Sequence, residues 1–575
     1  MLLFLLSSSL YPQNIKHPAC IIENQNPVYF TGIERQLTAY FNSTDDPPGS
    51  IPGLMTFWDY VTNGNNLRRI WVRGDTVIVA ADWVDSLNFE TTSARRTLYQ
   101  VSYNGGMSWL PAPVQLTALG SCYPDISIIK YLGKKTVFIS GREYTPTLIG
   151  YVCLDSLLGM HHLLVNPVPY VGRDYYSSKL SDSIIAGCYN SSDSLWYLDY
   201  NYLRNTFDSR QLLARSPDFI ASYSRYYISA SDNAHNVFVM WWFTDNDSAK
   251  MYGRESTNGG ISFTNQFIVF PDRVNINNDI VSPSVGADVL YKPGTSIKCA
   301  AVNTNRSSTF NKAQSAKIIF WSPGINGGLP VNIADWTNIP IIHDTAAFNS
   351  HTSYIQTGMG PVSHPSLAFS DNGSVLFCVF SVVQDDTTWY SYRFNDIWCS
   401  YSVNNGLTWT TPFSLTNTDA QDEIYPTISK TGNTVQGNTA TIHVTYLQSD
   451  SPGSASFMDV TPPSRNYHIY TKYQFSIVGM KTAGNGIPKC YSLKQNFPNP
   501  FNPTTSICFY LPKRSFVNIT VYNILGEEVK KLVNGYFNAG SYSLDWDGSD
   551  FPSGVYFYRL ETDGFSVSKK MILLK

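Results

Sequence analysis

Short apolar runs alternate with tight turns in HPSLAFS (364–370), DNG (371–373), SVLFCVFSVV (374–383), DIWCSYS (396–402), VNNG (403–406) and LTWTTPFSL (407–415). Asn and Gly tolerate a positive φ, and for this reason Asn-Gly turns between apolar runs are typical of antiparallel hairpins. The aromatic and β-branched residues of the runs fit a pleated, half-buried surface better than a helix. This stretch therefore predicts a four-stranded antiparallel meander.

The same phrase begins at seven places in the body of the chain. The starts are Arg69-Ile70, Tyr123-Pro124-Asp125, Tyr175, Tyr226, Ser282-Pro283-Ser284, His364-Pro365-Ser366 and Tyr425-Pro426-Thr427. Repeated four-stranded meanders of roughly 50 to 80 residues are typical of β-propeller blades. We therefore predict an all-β chain with a β-propeller over residues 21–480. Seven blades are favoured, but the third and fifth units are irregular, so six is the alternative.

The composition of the 575 residues agrees with this fold class. Aromatic residues make up 14% and charged residues 14%, whereas an ordinary domain carries about 25% charge. This balance excludes intrinsic disorder and a long coiled coil. The formal net charge is −3 and no basic stripe is present, which argues against a nucleic-acid partner. Nine dispersed cysteines show neither zinc-site spacing nor a disulfide framework, and we predict no metal and no cofactor.

Two segments mark the limits of the propeller. The opening MLLFLLSSSL resembles the apolar part of a secretory signal peptide, although it lacks a basic start and a clean cleavage site, and we assign residues 1–20 to a leader. The stretch KTAGNGIP (481–488) predicts a linker over residues 481–490. No later run reaches the about 18 apolar residues that a transmembrane helix needs, so we predict no transmembrane span.

A surface turn occurs three times with the same template. Its key residues are Ser102, Asn104, Gly106 and Trp109; Ser256, Asn258, Gly260 and Phe263; and Ser402, Asn404, Gly406 and Trp409. The template resembles the Asp-box (BNR) turn of sialidases, with Asn in place of the preferred Asp. An amide oxygen can accept the same backbone hydrogen bonds as a carboxylate. The resemblance implies a sialidase-like propeller and a structural role for the turns.

The sialidase resemblance also implies an arginine triad for a substrate carboxylate, an Asp acid/base and a Tyr/Glu nucleophilic pair. Arg69 lies where a first-strand arginine would be, but Arg-Ile is followed by Trp here where the family has Pro. Asp82 or Asp85 is a candidate for the acid, and Glu255 for the carboxylate that activates the nucleophile. None of these residues has a diagnostic spacing, and a solvated charge at a strand end is the alternative for each.

The end of the chain has the most specific pattern. Residues 491–575 carry NFPNPFNPTT (496–505), VYNILGEEV (521–529), WDG (546–548), SGVYFYRL (553–560) and KKMILLK (569–575). This module resembles the type A C-terminal sorting domain of the type IX (Por) secretion system, which is an Ig-like β-sandwich. The signature positions are Pro498, Pro500, Gly526, Trp546, Gly548, Gly554, Tyr556, Lys570 and Lys575.

By this resemblance the partner is the type IX secretion machinery, and the chain passes through the periplasm to the cell surface or the medium. A propeller without a recognisable catalytic set predicts a module that binds an extracellular glycan or protein. The alternative is an exo-glycosidase of the sialidase type.

Overall fold

A computed structural model describes most of the chain from residue 46 onward. The described residues are 28–30, 46–57, 68–84, 94–117, 120–131, 133–144, 148–155, 163–169, 175–191, 193–219, 225–231, 235–244, 248–276, 279–305, 316–339, 361–389, 392–418, 421–437, 439–450, 465–477, 480–482, 490–513, 515–537, 540–562 and 564–575. They form nine antiparallel sheets and a short 3-10 turn at Asn326–Gly328. The all-β prediction is confirmed, whereas the predicted leader 1–20 lies outside the described residues.

The first three sheets take their strands from consecutive parts of the chain. Sheet 1 contains β2 (Ile70–Arg73), β3 (Thr76–Trp83), β4 (Arg96–Ser102) and β5 (Val114–Gln115). Sheet 2 contains β6 (Gly120–Tyr131), β7 (Lys134–Tyr144), β8 (Leu148–Asp155) and β9 (Leu163–Pro167), with β1 (Val28–Phe30) added beside β9. Sheet 3 contains β10 (Tyr175–Lys179), β11 (Ile184–Ser191), β12 (Ser194–Asn201) and β13 (Thr206–Arg215).

The next four sheets continue in the same way. Sheet 4 contains β14 (Tyr226–Ser231), β15 (Asn236–Thr244), β16 (Ala249–Ser256) and β17 (Phe267–Phe270). Sheet 5 contains β18 (Val274–Ile276), β19 (Asp279–Tyr291), β20 (Lys298–Asn305), β21 (Lys317–Trp321) and β22 (Val331–Ala334). Sheet 6 contains β23 (Val362–Phe369), β24 (Leu376–Trp389), β25 (Tyr392–Ser402) and β26 (Phe413–Ser414). Sheet 7 contains β27 (Asp422–Ile428), β28 (Thr434–Gln436), β29 (Thr439–Ser449) and β30 (Asn466–Ser476).

Each of these seven sheets packs on the next one in sequence, and sheet 7 also contacts sheet 1. A separate hydrophobic cluster fills every one of these junctions. Inner strands therefore bury both faces, and β23, for example, is buried along its whole length, whereas the outer strand β13 is partly exposed. This two-sided burial explains why the runs of the sequence are continuously apolar rather than strictly alternating.

The segment of residues 49–56 joins the beginning of this array to its end. It precedes sheet 1 in the chain but pairs with β30 of sheet 7. The amide of Ile51 donates to the carbonyl of His468 over 2.9 Å, and Thr56 and Asn466 exchange two backbone hydrogen bonds of 2.8 Å. Ile51 and Leu54 enter the cluster between sheets 7 and 1. The segment thus covers the otherwise open edge of β30.

Two basic residues, Arg68 and Lys430, connect the inner strands of the seven sheets. Arg68, just before β2, donates through its guanidinium to the carbonyls of Ser177 in sheet 3 and Ile228 in sheet 4. Its backbone amide donates to Asp125 in sheet 2 over 3.1 Å.

Lys430, just after β27, makes the corresponding contacts on the other side. Its ammonium pairs with Asp288 in sheet 5 and donates to the carbonyl of Leu367 in sheet 6. Charged groups this deep are stable only when they are paired and hydrogen-bonded. The charges of Arg68 and Lys430 thus join sheets.

The last two sheets enclose a core of their own. Sheet 8 contains, in spatial order, β31 (Met480–Thr482), β36 (Gly540–Asp547), β33 (Thr504–Leu511) and β32 (Ser492–Leu493). Sheet 9 contains β35 (Glu528–Phe537), β34 (Ser515–Tyr522), β37 (Gly554–Thr562) and β38 (Phe565–Leu573). One hydrophobic cluster receives side chains from both sheets. Sheet 8 begins at Met480, so its first strand overlaps the start of the predicted linker 481–490.

Candidate functional site

Arg69 is an interior residue at the junction of sheets 7 and 1. Its side chain is 1% exposed. Nε and Nη2 donate to the hydroxyl of Thr427 over 3.3 and 3.2 Å, and Nη2 also donates to the carbonyl of Tyr425. Nη1 is buried without a hydrogen-bond partner among the described residues. Burial lowers the pKa of Arg69 to about 10, against the opposing charge of Asp82.

Asp82 lies near the end of β3 and is also buried. Both of its carboxylate oxygens accept from the backbone amide of Tyr123, over 3.0 and 3.1 Å. Burial raises the pKa of Asp82 to about 7, although the amide of Tyr123 and the charges of Arg95, Arg69 and Arg142 act in the other direction. Asp82 thus connects sheet 1 to the start of β6 and carries a carboxyl group that titrates near neutrality.

His468 completes this cluster, and sequence reasoning did not single it out. The residue lies in β30, is fully buried, and has two ring nitrogens without a hydrogen-bond partner in the described part of the chain. Burial first, and the charge of Arg69 second, lower its pKa to about 3. The imidazole is therefore neutral. No local sequence pattern could have predicted that His468 lies near Arg69. Their proximity depends on which sheets are neighbours, and the two residues come from opposite ends of the array.

Glu255 lies elsewhere, at the junction of sheets 4 and 5. Its carboxylate forms an ion pair with Lys298 over 2.6 Å and accepts a hydrogen bond of 3.2 Å from the hydroxyl of Tyr291. The structure therefore brings Arg69 and Asp82 into one cluster and places Glu255 in a different one. These contacts do not bring Arg69, Asp82 and Glu255 together into one site.

The three repeated turns share one hydrogen-bond pattern. In the first, Ser102 Oγ accepts from the amide of Gly106 over 2.8 Å, and Asn104 Oδ1 accepts from the amide of Ser108 over 2.8 Å. The Asn258 and Asn404 turns repeat both bonds, with lengths between 2.8 and 3.0 Å. Asn therefore supplies the acceptor that the sialidase-like template assigns to Asp.

Each turn also packs on the preceding sheet through its last aromatic residue. Trp109 contacts Tyr470 at 5.8 Å between ring centroids, Phe263 contacts Tyr197 at 5.0 Å, and Trp409 contacts Phe320 at 5.3 Å. A Cβ atom on Gly106, Gly260 or Gly406 would come within 2.1 to 2.2 Å of the same partner rings. The turns therefore stabilise the junctions between sheets, which agrees with a structural role.

The signature residues of the C-terminal module lie in its core and in its turns. Trp546 is buried against Phe501 at 5.3 Å and Tyr556 at 5.6 Å between ring centroids. The carbonyl of Pro498 accepts from Thr505 over 2.7 Å. The positions of the remaining signature residues are as follows: Pro500 precedes the buried Phe501, Gly526 has φ +80° in the turn before β35, Gly548 contacts Pro503, Gly554 begins β37, Lys570 lies in β38 and Lys575 donates to Ser553.

The described residues contain no group of three or more His, Cys, Asp or Glu side chains arranged to hold a metal ion. The eight cysteines among them are free thiols, and six are buried. In the same part of the chain, no helix has the length and apolar character needed to cross a membrane.

A comparison with protein-family models decides the identity of the C-terminal module. Residues 495–574 match the model described as the secretion system C-terminal sorting domain, the Por secretion tail. The module is a sorting domain. It indicates export by the type IX system, and it directs the chain to the cell surface or outside the cell. A search of curated proteins gives no match.

A comparison with solved structures gives matches at low sequence identity and low TM-score. An ulvan lyase of polysaccharide lyase family PL25 is 10% identical with a TM-score of 0.44, covering 72% of this chain and 95% of its own. PorZ, a surface component of the type IX secretion system of Porphyromonas gingivalis, is 10% identical with a TM-score of 0.31, covering 89% and 60%. A protein of unknown function from Dyadobacter fermentans is 12% identical with a TM-score of 0.35, covering 74% and 99%.

Replacing the glycine that touches the neighbouring sheet should destabilise the protein more than replacing the glycine beside it. Gly259 and Gly260 have φ values of +73° and +88°, so alanine is strained at both. A Cβ at 260 would lie 2.2 Å from the Tyr197 hydroxyl, whereas at 259 the nearest atom is 4.0 Å away. We expect Gly260→Ala to cost about 2 kcal/mol more than Gly259→Ala in denaturant unfolding. Equal losses would show that the ring contact does not matter.

The raised pKa of Asp82 predicts a pH-dependent stability. The pKa of Asp82 is near 4 in the unfolded chain and about 7 in the folded protein. Between these two pH values the folded protein binds one more proton than the unfolded chain, so the stability that Asp82 contributes is lost as the pH rises. The lowered pKa of His468 has the opposite effect, because it reduces the stability of the folded protein as the pH falls. Because Asp82→Asn removes only the first effect, the unfolding free energy of the wild type should fall relative to this variant from pH 5 to 8. The exposed Asp75→Asn is the control, and a parallel profile for both variants would contradict the assignment.

Proposed function

We propose that this chain is a surface or secreted protein exported by the type IX machinery, with a seven-bladed, sialidase-like β-propeller that binds an extracellular glycan or protein. The sorting-domain match over residues 495–574 carries the export half of the proposal. Seven sheets that contact one another in sequence order, with the first against the seventh, support the propeller half. In this assignment the propeller is the cargo, and the C-terminal Ig-like sandwich is its export signal.

The surroundings of the catalytic candidates favour binding over catalysis. Arg69 is buried and donates to protein groups of sheet 7, so its guanidinium is not presented to a substrate carboxylate. Asp82 accepts from the backbone of β6, and Glu255 is paired with Lys298. Each of these residues joins two sheets, which is a sufficient reason for its position. The ligand would then contact loops at one face of the propeller.

Export is tested by deleting residues 488–575 from the protein in its native host. We expect the full chain at the cell surface or in the medium and the truncated chain in the periplasm, because the sorting domain is the export signal. Protease resistance of the periplasmic product shows whether the propeller has folded. Normal delivery of the truncated chain to the surface would contradict the proposal.

A glycosidase of the sialidase type is the second candidate, and one observation favours it. Asp82 has a pKa of about 7, a value that suits a general acid. The charge of Arg69 acts on this carboxyl group. If this function is correct, a fluorogenic sialoside is hydrolysed and Arg69→Ala abolishes turnover, while Lys472→Ala on the exposed part of β30 does not. Absence of turnover across a panel of fluorogenic glycosides would eliminate the enzyme and leave the binding function.

A further inference from the structure

An open pocket of about 450 Å³ lies where the first repeated turn meets the segment that covers sheet 7. One wall is formed by Gly49, Ser50 and Pro52, and the other by residues 106–111, which belong to the turn and the chain that follows it. The volume lies in the range of small-ligand sites, which is roughly 300 to 1,000 Å³. Two of its lining residues, Gly106 and Trp109, also pack the first turn against Tyr470.

The two walls are held together from below by a buried glutamine. Gln100 is fully buried, and its side-chain amide donates to the carbonyl of Pro52 over 3.2 Å and to the carbonyl of Leu110 over 3.0 Å. Gly49 is also held in place, because its carbonyl accepts a hydrogen bond of 3.0 Å from the amide of Tyr470. The pocket is therefore formed before a ligand arrives, which reduces the entropic cost of binding.

The lining selects a class of ligand. Trp109 is half-buried, and its ring is held edge-on by Tyr470. Met107 is 85% exposed at the rim, and the hydroxyl-bearing residues of the lining are Ser50 and Ser108. None of the described residues that line the pocket has a charged side chain. A fixed aromatic ring beside serine hydroxyls suits a ligand with an apolar face, a hydroxyl-rich edge and no charge.

We propose that this pocket, defined by Trp109, Met107, Gly49, Ser50 and Pro52, is a binding site for a neutral saccharide. The inference rests on the proposed function and makes it more specific, because it places a glycan at the junction of sheets 7 and 1. A sugar ring would lie against the indole of Trp109, with its hydroxyls toward Ser50 and Ser108. The site differs from the Arg69 and Asp82 cluster, which is buried and charged.

The test uses the full chain and follows tryptophan fluorescence and calorimetry during titration. The probes are cellohexaose, xylohexaose, mannohexaose and laminarihexaose, with hexagalacturonate as the charged comparison. We expect at least one neutral hexasaccharide to bind and the Kd to rise about tenfold or more in Trp109→Ala and Met107→Glu. Met107→Glu matters most, because Met107 is exposed and its replacement does not touch the packing against Tyr470.

The repeat offers a matched control for that variant. Ile261 holds the position of Met107 in the second turn and is 67% exposed, so Ile261→Glu makes the same chemical change away from the pocket and should leave the Kd unchanged.

Unchanged binding in Met107→Glu and Trp109→Ala would overturn the site and leave glycan binding elsewhere on the propeller intact. Equal binding of hexagalacturonate, or no binding of any neutral probe at about 10 mM, would also overturn it. None of these results affects the export experiment.

Discussion

Backbone hydrogen bonds between residues 49–56 and β30 are the contacts on which the arrangement of the seven sheets depends. Each sheet buries both faces against its neighbours, so a linear stack would leave sheets 1 and 7 with an apolar face in water. The segment pairs with sheet 7 just before the chain enters sheet 1. It also fills their junction with Ile51 and Leu54. A few residues of backbone pairing thereby give the junction of sheets 7 and 1 a hydrophobic cluster, as at the other six.

The central charges follow from the same arrangement. Two long side chains reach from one inner strand to the inner strands of other sheets. Arg68 spans sheets 1 to 4, and Lys430 spans sheets 5 to 7. Buried ion pairs add little net stability, but the loss of one partner is costly. The chain has few charged residues, and Arg68 and Lys430 are two that join sheets.

Much of the fold could be predicted from the sequence, because its units are local. Asn-Gly turns and apolar runs place the strands, and each of the seven predicted starts lies in or beside an inner strand. The contacts of Arg69 with Thr427 and of Glu255 with Lys298 could not be predicted. They join residues of different sheets, so they depend on which sheets are neighbours. The pocket at Trp109 could not be predicted either, because one wall comes from residues 49–52, far from the turn.

Amide hydrogen exchange across the junction of sheets 7 and 1 tests the central claim most directly. Two peptides are compared, one covering residues 49–57 and the other covering residues 465–471 of β30. If the segment is an integral strand of sheet 7, both peptides are protected to a similar degree and lose protection together as denaturant is added. Exchange of residues 49–57 at the rate of an unstructured peptide, with β30 still protected, would contradict the account.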